Sequence, residues 1–206
     1  FLAVIIISIF VGSFFATVQS DMKRLIAYSG VIQSGFILSG IVSGVNGTSA
    51  SLFYITAYTI QLIGIFTIFT IISGKLSSDF SIENLSGLFV ENKFLTICFS
   101  IFMLGLAGIP LTSGFISKFI LITNLWSYES YVLVVILMLS TVAGFYFYLR
   151  PIWVAAIDKP ETPVERITLK RSQILSLSAL SFATIYFGLL PNSLINISRW
   201  VIQNYL

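Results

Sequence analysis

The sequence predicts an all-α integral membrane protein with six transmembrane helices, one of them broken at 107–112. Three observations carry this. The 206 residues are 57% hydrophobic and only 9% charged, where soluble domains carry about 25% charged residues. The mean hydropathy is +0.99, and the apolar runs are of helix length rather than strand length. The longest run, 94–126, holds Gly105, Gly108, Pro110 and Gly114 in its middle.

Span one covers 1–18 and ends before Gln19-Ser20-Asp21. Phe1 opens inside an apolar run with no basic leader. That reads as the C-terminal part of a longer protein, not as a secretory signal. Asp21-Met22-Lys23-Arg24 is a short charged turn. Span two, 25–45, carries Gly30, Gly35, Gly40 and several serines, small residues that let transmembrane helices approach closely. Asn46-Gly47 signals a turn. Span three, 49–73, carries Tyr54, Tyr58 and Gln61. In the loop 74–93, Ile82, Leu85, Leu88 and Phe89 recur at helical spacing, which predicts a short helix lying on the surface.

Span four is the broken one. As one helix, 94–126 would be about 50 Å long at ~1.5 Å per residue, against a bilayer core of ~30 Å. Proline lacks an amide hydrogen and clashes with the preceding turn, and it pushes Ile109 out of helical geometry. Two half-helices follow, 94–106 and 113–126, joined inside the membrane. The backbone groups freed there must face protein or a water-filled cavity, and discontinuous helices of this kind mark ion and substrate sites. Lys118 lies about 12 Å from the Trp126 end at ~1.5 Å per residue, at mid-depth. A charge there is costly and faces a polar interior. Snorkelling to the interface would need a longer stem.

Span five, 131–154, includes Gly144-Phe145-Tyr146-Phe147-Tyr148-Leu149-Arg150-Pro151, aromatics that an interfacial belt also explains. A polar loop, 158–171, holds two prolines. Span six, 174–190, stops at Pro191-Asn192. The tail, 191–206, places Leu194, Ile197, Val201 and Tyr205 on one helical face and Asn196, Arg199 and Gln203 on another, the pattern of an interfacial amphipathic helix.

Numbering the loops alternately puts Lys23, Arg24, Lys75, Lys93, Arg150, Lys159, Arg166, Lys170 and Arg171 on one side and only Arg199 on the other. By the positive-inside rule, loops 19–24, 74–93 and 155–173 are cytoplasmic. Counting span four as two crossings would flip the last basic loop.

Several chemistries are excluded. The chain has no histidine, which removes His-based metal, haem and general-base roles. The single Cys98 forms no internal disulfide and no metal cluster. No phosphate-binding Gly-rich loop or nucleotide fingerprint is present. The net charge of +3 says nothing about nucleic acid in a chain this apolar; the expected partner is the lipid bilayer, with no nucleic acid.

Five segments, in order, resemble the antiporter-like subunits of respiratory complex I. They are Gln19-Ser20-Asp21-Met22-Lys23-Arg24-Leu25-Ile26-Ala27-Tyr28-Ser29, Phe53-Tyr54 with Tyr58 and Gly64, Leu85-Ser86-Gly87-Leu88, the stretch Leu106 to Phe119, and Tyr146-Phe147-Tyr148-Leu149-Arg150. The likeness covers about 1–190, and a lysine at 118 behind Gly-Ile-Pro is most similar to the N type of NADH-quinone oxidoreductase subunit. It implies a fold of fourteen transmembrane helices with two inverted repeats, of which 1–190 would be the C-terminal part and 191–206 the interfacial tail.

It also implies a proton-translocating subunit in the cell inner membrane, without redox chemistry of its own, beside other membrane subunits. NADH, FMN, iron-sulfur clusters and quinone would belong to partner subunits. Lys118 matches the titratable lysine of the second half-channel. Lys23 and Tyr28 match the turn and the helix after it, and Tyr146 and Tyr148 match an aromatic pair. Gln33, Thr112, Ser113 and Ser117 could order water, while Gly108, Pro110 and Gly114 shape the break. A lysine in water titrates near ~10.4, and withdrawal from water favours the neutral amine, so Lys118 reads as a proton switch.

The chain departs from the family at Gln33, often histidine there, and at Lys93, usually proline. The first-half glutamate and lysines lie outside this sequence. Two rival readings stand: a subunit of a multi-subunit sodium/proton antiporter or membrane-bound hydrogenase, and a structural subunit that only anchors and packs.

Overall fold

Glycines set how closely the first helices pack. In the computed structural model, which describes residues 1–73, 80–158 and 166–205, α1 (Leu2–Thr17) lies along α2 (Met22–Val42). A Cβ on Gly12 would stand 2.7 Å from Ile32 Cγ1, and one on Gly35 would stand 2.7 Å from Ile9 Cγ1. Ile5, Ile9, Gly12 and Ala16 form the buried stripe of α1. Its outer face is apolar too: Val4, Ile7, Phe10 and Phe14 are 55–66% exposed. Apolar surface on this scale suits lipid as the solvent.

Asp21 caps α2 by accepting the Arg24 N–H at 2.8 Å. The expected charged turn is therefore the first turn of the helix. α2 ends at Ser43, and Gly44, at φ +81°, makes the turn into α3 (Gly44–Ser73). The turn expected at Asn46-Gly47 is not there. Gly47 sits inside α3, where a Cβ would run into Ser43 Oγ and the Gly40 carbonyl, so its smallness serves helix contact rather than a turn.

Beyond α3, the expected surface helix over 82–89 is two separate turns. A 3₁₀ turn, Glu83–Leu85, is followed by α4 (Leu88–Glu91), and Gly87 at φ +80° separates them. Ile82, Leu85 and Leu88 are buried at 0%, 1% and 3% exposure, so this segment packs down onto the bundle. Residues 74–79 of the expected loop lie outside the described residues.

The broken span is α5 (Lys93–Ala107) and α6 (Ser113–Ser127). α7 (Tyr131–Ala156) and α8 (Arg171–Leu189) follow; the two prolines expected between them, in loop 158–171, lie outside the described residues. α9 (Asn192–Tyr205) turns Leu194, Ser198 and Ile202 inward and leaves Ile197 and Trp200 58% and 59% exposed. The apolar face expected for the tail is thus divided, with Leu194 against protein and Ile197 outward. Among the described residues, α2, α3, α7 and α8 are long and apolar enough to cross a membrane. α1 and α5 are apolar and shorter, and α5 with α6 makes up the broken helix.

Three loops meet at one end of the bundle. Met22 N–H donates to the Phe80 carbonyl at 2.8 Å, Gly87 N–H to Asp158 O at 3.2 Å, and Ile167 N–H to Glu91 O at 3.3 Å. Lys23, Arg24, Lys93, Arg150, Arg166, Lys170 and Arg171 therefore share this end. At the other end a cavity of about 140 Å³ between α3, α6 and α9 includes Arg199 in its lining. Of the nine basic residues that loop counting puts on one side, these seven lie at one end of the bundle, and Lys75 and Lys159 lie outside the described residues.

Candidate functional site: a lysine folded into a helix break

α5 stops at Gly108, which takes the left-handed conformation at φ +83°. Its N–H reaches the carbonyls of Leu104 and Gly105, each at 3.0 Å, and Ile109 N–H also reaches Leu104 O at 3.0 Å. This glycine-centred C-cap satisfies two of the last carbonyls of α5. Leu106 and Ala107 remain, and Pro110 cannot continue the helix to cover them. Lys118 supplies the missing donors: its Nζ donates to Leu106 O at 3.0 Å and to Ala107 O at 2.9 Å. A cation at a helix C-terminus also meets the negative end of the helix dipole.

Gly108 serves twice. It accepts positive φ without strain, and it leaves room for the lysine stem: a Cβ there would stand 2.9 Å from Lys118 Cδ. Lys118 is 6% exposed, and its Nζ lies 5.4 Å from the centre of the Phe36 ring, within cation–π range.

Thr112 caps α6. Its Oγ1 accepts the Phe115 N–H at 3.4 Å and donates to Ile109 O at 2.7 Å. Ser113 Oγ accepts from Gln61 Nε2 at 3.1 Å, and its carbonyl accepts the Ser117 hydroxyl at 2.5 Å. Gly114 is not part of the bend itself. It lies in the first turn of α6, where a Cβ would run into the Gly105 carbonyl, so it lets the two half-helices touch.

A small cavity of about 10 Å³ opens beside the lysine, lined by Gln33, Tyr54, Tyr58, Gln61, Ser117 and Lys118, among others. That is room for about one water. At its edge Tyr54 donates its hydroxyl to Gln33 Oε1, and Gln33 Nε2 donates to Tyr148 Oη at 3.0 Å. Gln33, Tyr54 and Tyr148 are 2%, 3% and 1% exposed, and they join α2, α3 and α7 in one polar contact.

The fold thus brings Lys118, Gln33, Ser113 and Thr112 to the break, with Tyr148 one hydrogen bond further out. It does not bring Lys23, Tyr28 or Tyr146. Lys23 Nζ lies over the Phe80 ring at 4.2 Å at the basic end. Tyr28 stacks on Phe15 of α1 at 5.2 Å. Tyr146 is 59% exposed, because residues two apart on a helix point to different sides.

Tyr54 and Gln61 enter the site without having been picked out as site residues. Their signal was present: Tyr54, Tyr58 and Gln61 recur at steps of four and three in an apolar span, which sets them on one helical face.

Residues 1–144 match the family described as NADH:quinone oxidoreductase/Mrp antiporter, TM. The chain is 33% identical over 204 residues to the chloroplastic NAD(P)H-quinone oxidoreductase subunit 2 of Chlorokybus atmophyticus, covering 94% of this chain and 40% of that one. It is 30% identical over 197 residues to the NADH-quinone oxidoreductase subunit N of Rhodococcus opacus, covering 95% and 36%. Its fold is similar to a chain of the Mrp complex from Dietzia sp., with a TM-score of 0.88 at 20% identity over 98% of this chain and 46% of that one. The chain therefore spans about 40% of the length of the curated relatives it matches. With the family match running through more than half of the sequence, the chain belongs to the NADH:quinone oxidoreductase/Mrp antiporter transmembrane family.

Proposed function

We propose that this chain is the C-terminal part of an N-type subunit of a proton-translocating NADH:quinone oxidoreductase, and that protons cross it through a half-channel centred on Lys118. One observation carries the reading: a buried lysine donates to the two carbonyls that the helix break leaves free. An ammonium needs such acceptors at mid-depth in a bilayer. A neutral amine retains two N–H donors for the two carbonyls and a lone pair that can accept from water in the adjoining cavity. The site can therefore hold Lys118 in either protonation state, which a proton carrier requires.

In this reading the chain performs no redox chemistry. NADH, FMN, iron-sulfur clusters and quinone belong to partner subunits, and other membrane subunits flank it. The membrane is the cell inner membrane, with loops 19–24, 74–93 and 155–173 cytoplasmic by their basic residues. Residues 1–190 form the transmembrane part and 191–206 the interfacial tail. Gln33, Thr112 and Ser113 shape and hydrate the site, and Tyr148 holds Gln33.

The test is proton uptake by inverted vesicles oxidising NADH, with the full-length parent carrying Lys118 or Lys118→Ala. The variant assembles and pumps poorly if the reading holds; unchanged proton yield per NADH refutes it. The likeness in fold to the Mrp complex chain favours a second reading, a subunit of a sodium/proton antiporter. That reading expects proton movement driven by an imposed sodium gradient with no NADH present.

A further inference from the structure

We propose that the cavity around Arg199 binds the phosphate of an anionic phospholipid whose headgroup carries hydroxyls, as a glycerol headgroup does. Arg199 is the exception in the distribution of charge. Loop counting sets nine basic residues on one side and Arg199 alone on the other, the side where the positive-inside rule makes cations scarce. A guanidinium there calls for a counter-charge. Among the described residues it forms no ion pair; the pair present, Arg150 with Glu83, lies at the basic end. No carboxylate lines its cavity either, and Glu129, between α6 and α7, is not part of the lining. The cavity shares no lining residue with the one beside Lys118, so the site stands apart from the proposed proton path.

The cavity suits a polar ligand larger than water. Its volume of about 140 Å³ is roughly ten times the ~10–15 Å³ that one water needs. α3 brings Asn46 and Ser49 to it, α6 brings Asn124, and α9 brings Arg199. The guanidinium offers a planar fork of N–H donors that matches two oxygens of a phosphate. The Asn46 amide adds donors. Asn124 gives one N–H to the Ile120 carbonyl at 2.8 Å, and Ser49 gives its hydroxyl proton to the Val45 carbonyl at 3.2 Å. The Asn124 amide oxygen and the Ser49 lone pairs are left as acceptors, which suit headgroup hydroxyls. A choline or ethanolamine cation would meet Arg199 with no carboxylate to hold it.

Depth favours a lipid over a free anion. α3 has 30 residues, about 45 Å at ~1.5 Å per residue, and a bilayer with its headgroups is ~40–45 Å thick. The first turn of α3, with Asn46, accordingly lies at headgroup level, and Asn124 lies in the last turn of α6. Phe53 and Ile195 give the cavity an apolar wall. On α9, Ile197 and Trp200 are 58% and 59% exposed, and a tryptophan at that depth belongs to the aromatic belt. Apolar side chains exposed beside the guanidinium suit acyl chains, which a free phosphate ion does not have.

The experiment uses the assembled complex with the full-length parent, in vesicles of phosphatidylcholine doped with a photoreactive phosphatidylglycerol. Cross-links are mapped to peptides by mass spectrometry. Adducts form on 192–205 and 44–53, and unlabelled phosphatidylglycerol competes them away. At sub-saturating lipid, Arg199→Gln lowers them about tenfold or more, the loss that a missing hydrogen bond to a charged group produces. Asn46→Ala, at an exposed position, lowers them too. Arg171→Gln removes a charge at the basic end and leaves them unchanged. Equal adducts in Arg199→Gln and the unmodified protein overturn the site and mean that another segment or subunit covers Arg199. An equal loss in Arg171→Gln shows bulk charge at work and overturns it as well. Competition by inorganic phosphate as effective as that by lipid assigns the cavity to a free anion and refutes the phospholipid. A photoreactive phosphatidylcholine that labels 192–205 equally refutes the headgroup assignment.

Discussion

Gly108→Ala tests whether the break exists to seat the lysine. Gly108 stands at φ +83°, where a Cβ costs about 1–2 kcal/mol. The same Cβ would lie 2.9 Å from Lys118 Cδ and 3.3 Å from Nζ. The stem must move, and the move is taken up by the bonds at its tip, 3.0 and 2.9 Å long. A hydrogen bond to a charged group contributes roughly 1.5–3 kcal/mol, so losing one of the two brings the total to about 2.5–5 kcal/mol. The lowered entropy of the unfolded alanine chain returns only ~0.4–1 kcal/mol.

The assay is paired: heat stability of the full-length parent in detergent, and proton yield per NADH in vesicles. Gly108→Ala melts lower and pumps less. Gly144→Ala is the control, since a Cβ there meets nothing nearer than 3.7 Å and alanine gains up to ~1 kcal/mol over glycine inside a helix. If Gly108→Ala melts and pumps like the unmodified protein, the lysine is not held by the geometry described, and the reasoning fails.

Gly114→Ala places a methyl group into the Gly105 carbonyl and so pushes the half-helices apart; it lowers the amount of assembled protein more than Gly108→Ala does, read by quantitative blotting of membranes. Gln61→Leu leaves Ser113 Oγ without its 3.1 Å donor and costs about 1–3 kcal/mol as a buried unsatisfied group, read as a lower melting temperature. Tyr146→Phe, at an exposed position, leaves proton yield unchanged, in contrast to Lys118→Ala. Arg150→Gln removes a 3.7 Å pair with Glu83 whose side chains are 38% and 72% exposed; such pairs contribute ~0–1 kcal/mol, so heat stability scarcely moves.

The break was legible because its causes are local. Pro110 removes a donor and Gly108 accepts a left-handed backbone, and both can be read from a few neighbouring letters. The half-helices expected at 94–106 and 113–126 accordingly lie within a residue of α5 and α6. Lys118 was legible as a charge one turn beyond the break, and it is buried there. The short loops were harder, because glycine has two uses that letters alone do not separate. Gly44 turns the chain, while Gly47 and Gly114 let helices touch. Asn46-Gly47 carries the better turn signature, yet packing against Gly40 and Ser43 claims its glycine. Resemblance drew Tyr146 and Tyr148 together as a pair, although two residues apart on a helix is about 200° of rotation at ~3.6 residues per turn, and only Tyr148 faces inward.

What no local pattern contains is the meeting of α2, α3 and α7 at Gln33. Three polar groups, each a liability alone in a bilayer, become tolerable only by finding one another. An isolated unsatisfied group in hydrocarbon costs several kcal/mol, and the Tyr54–Gln33–Tyr148 row leaves none of the three so exposed. In a membrane interior a polar residue is either satisfied by its neighbours or available to water. Gln33 is satisfied by two tyrosines and still lines the cavity, while Lys118, with two donors engaged and a cavity beside it, falls between the two, as the proposed proton switch requires.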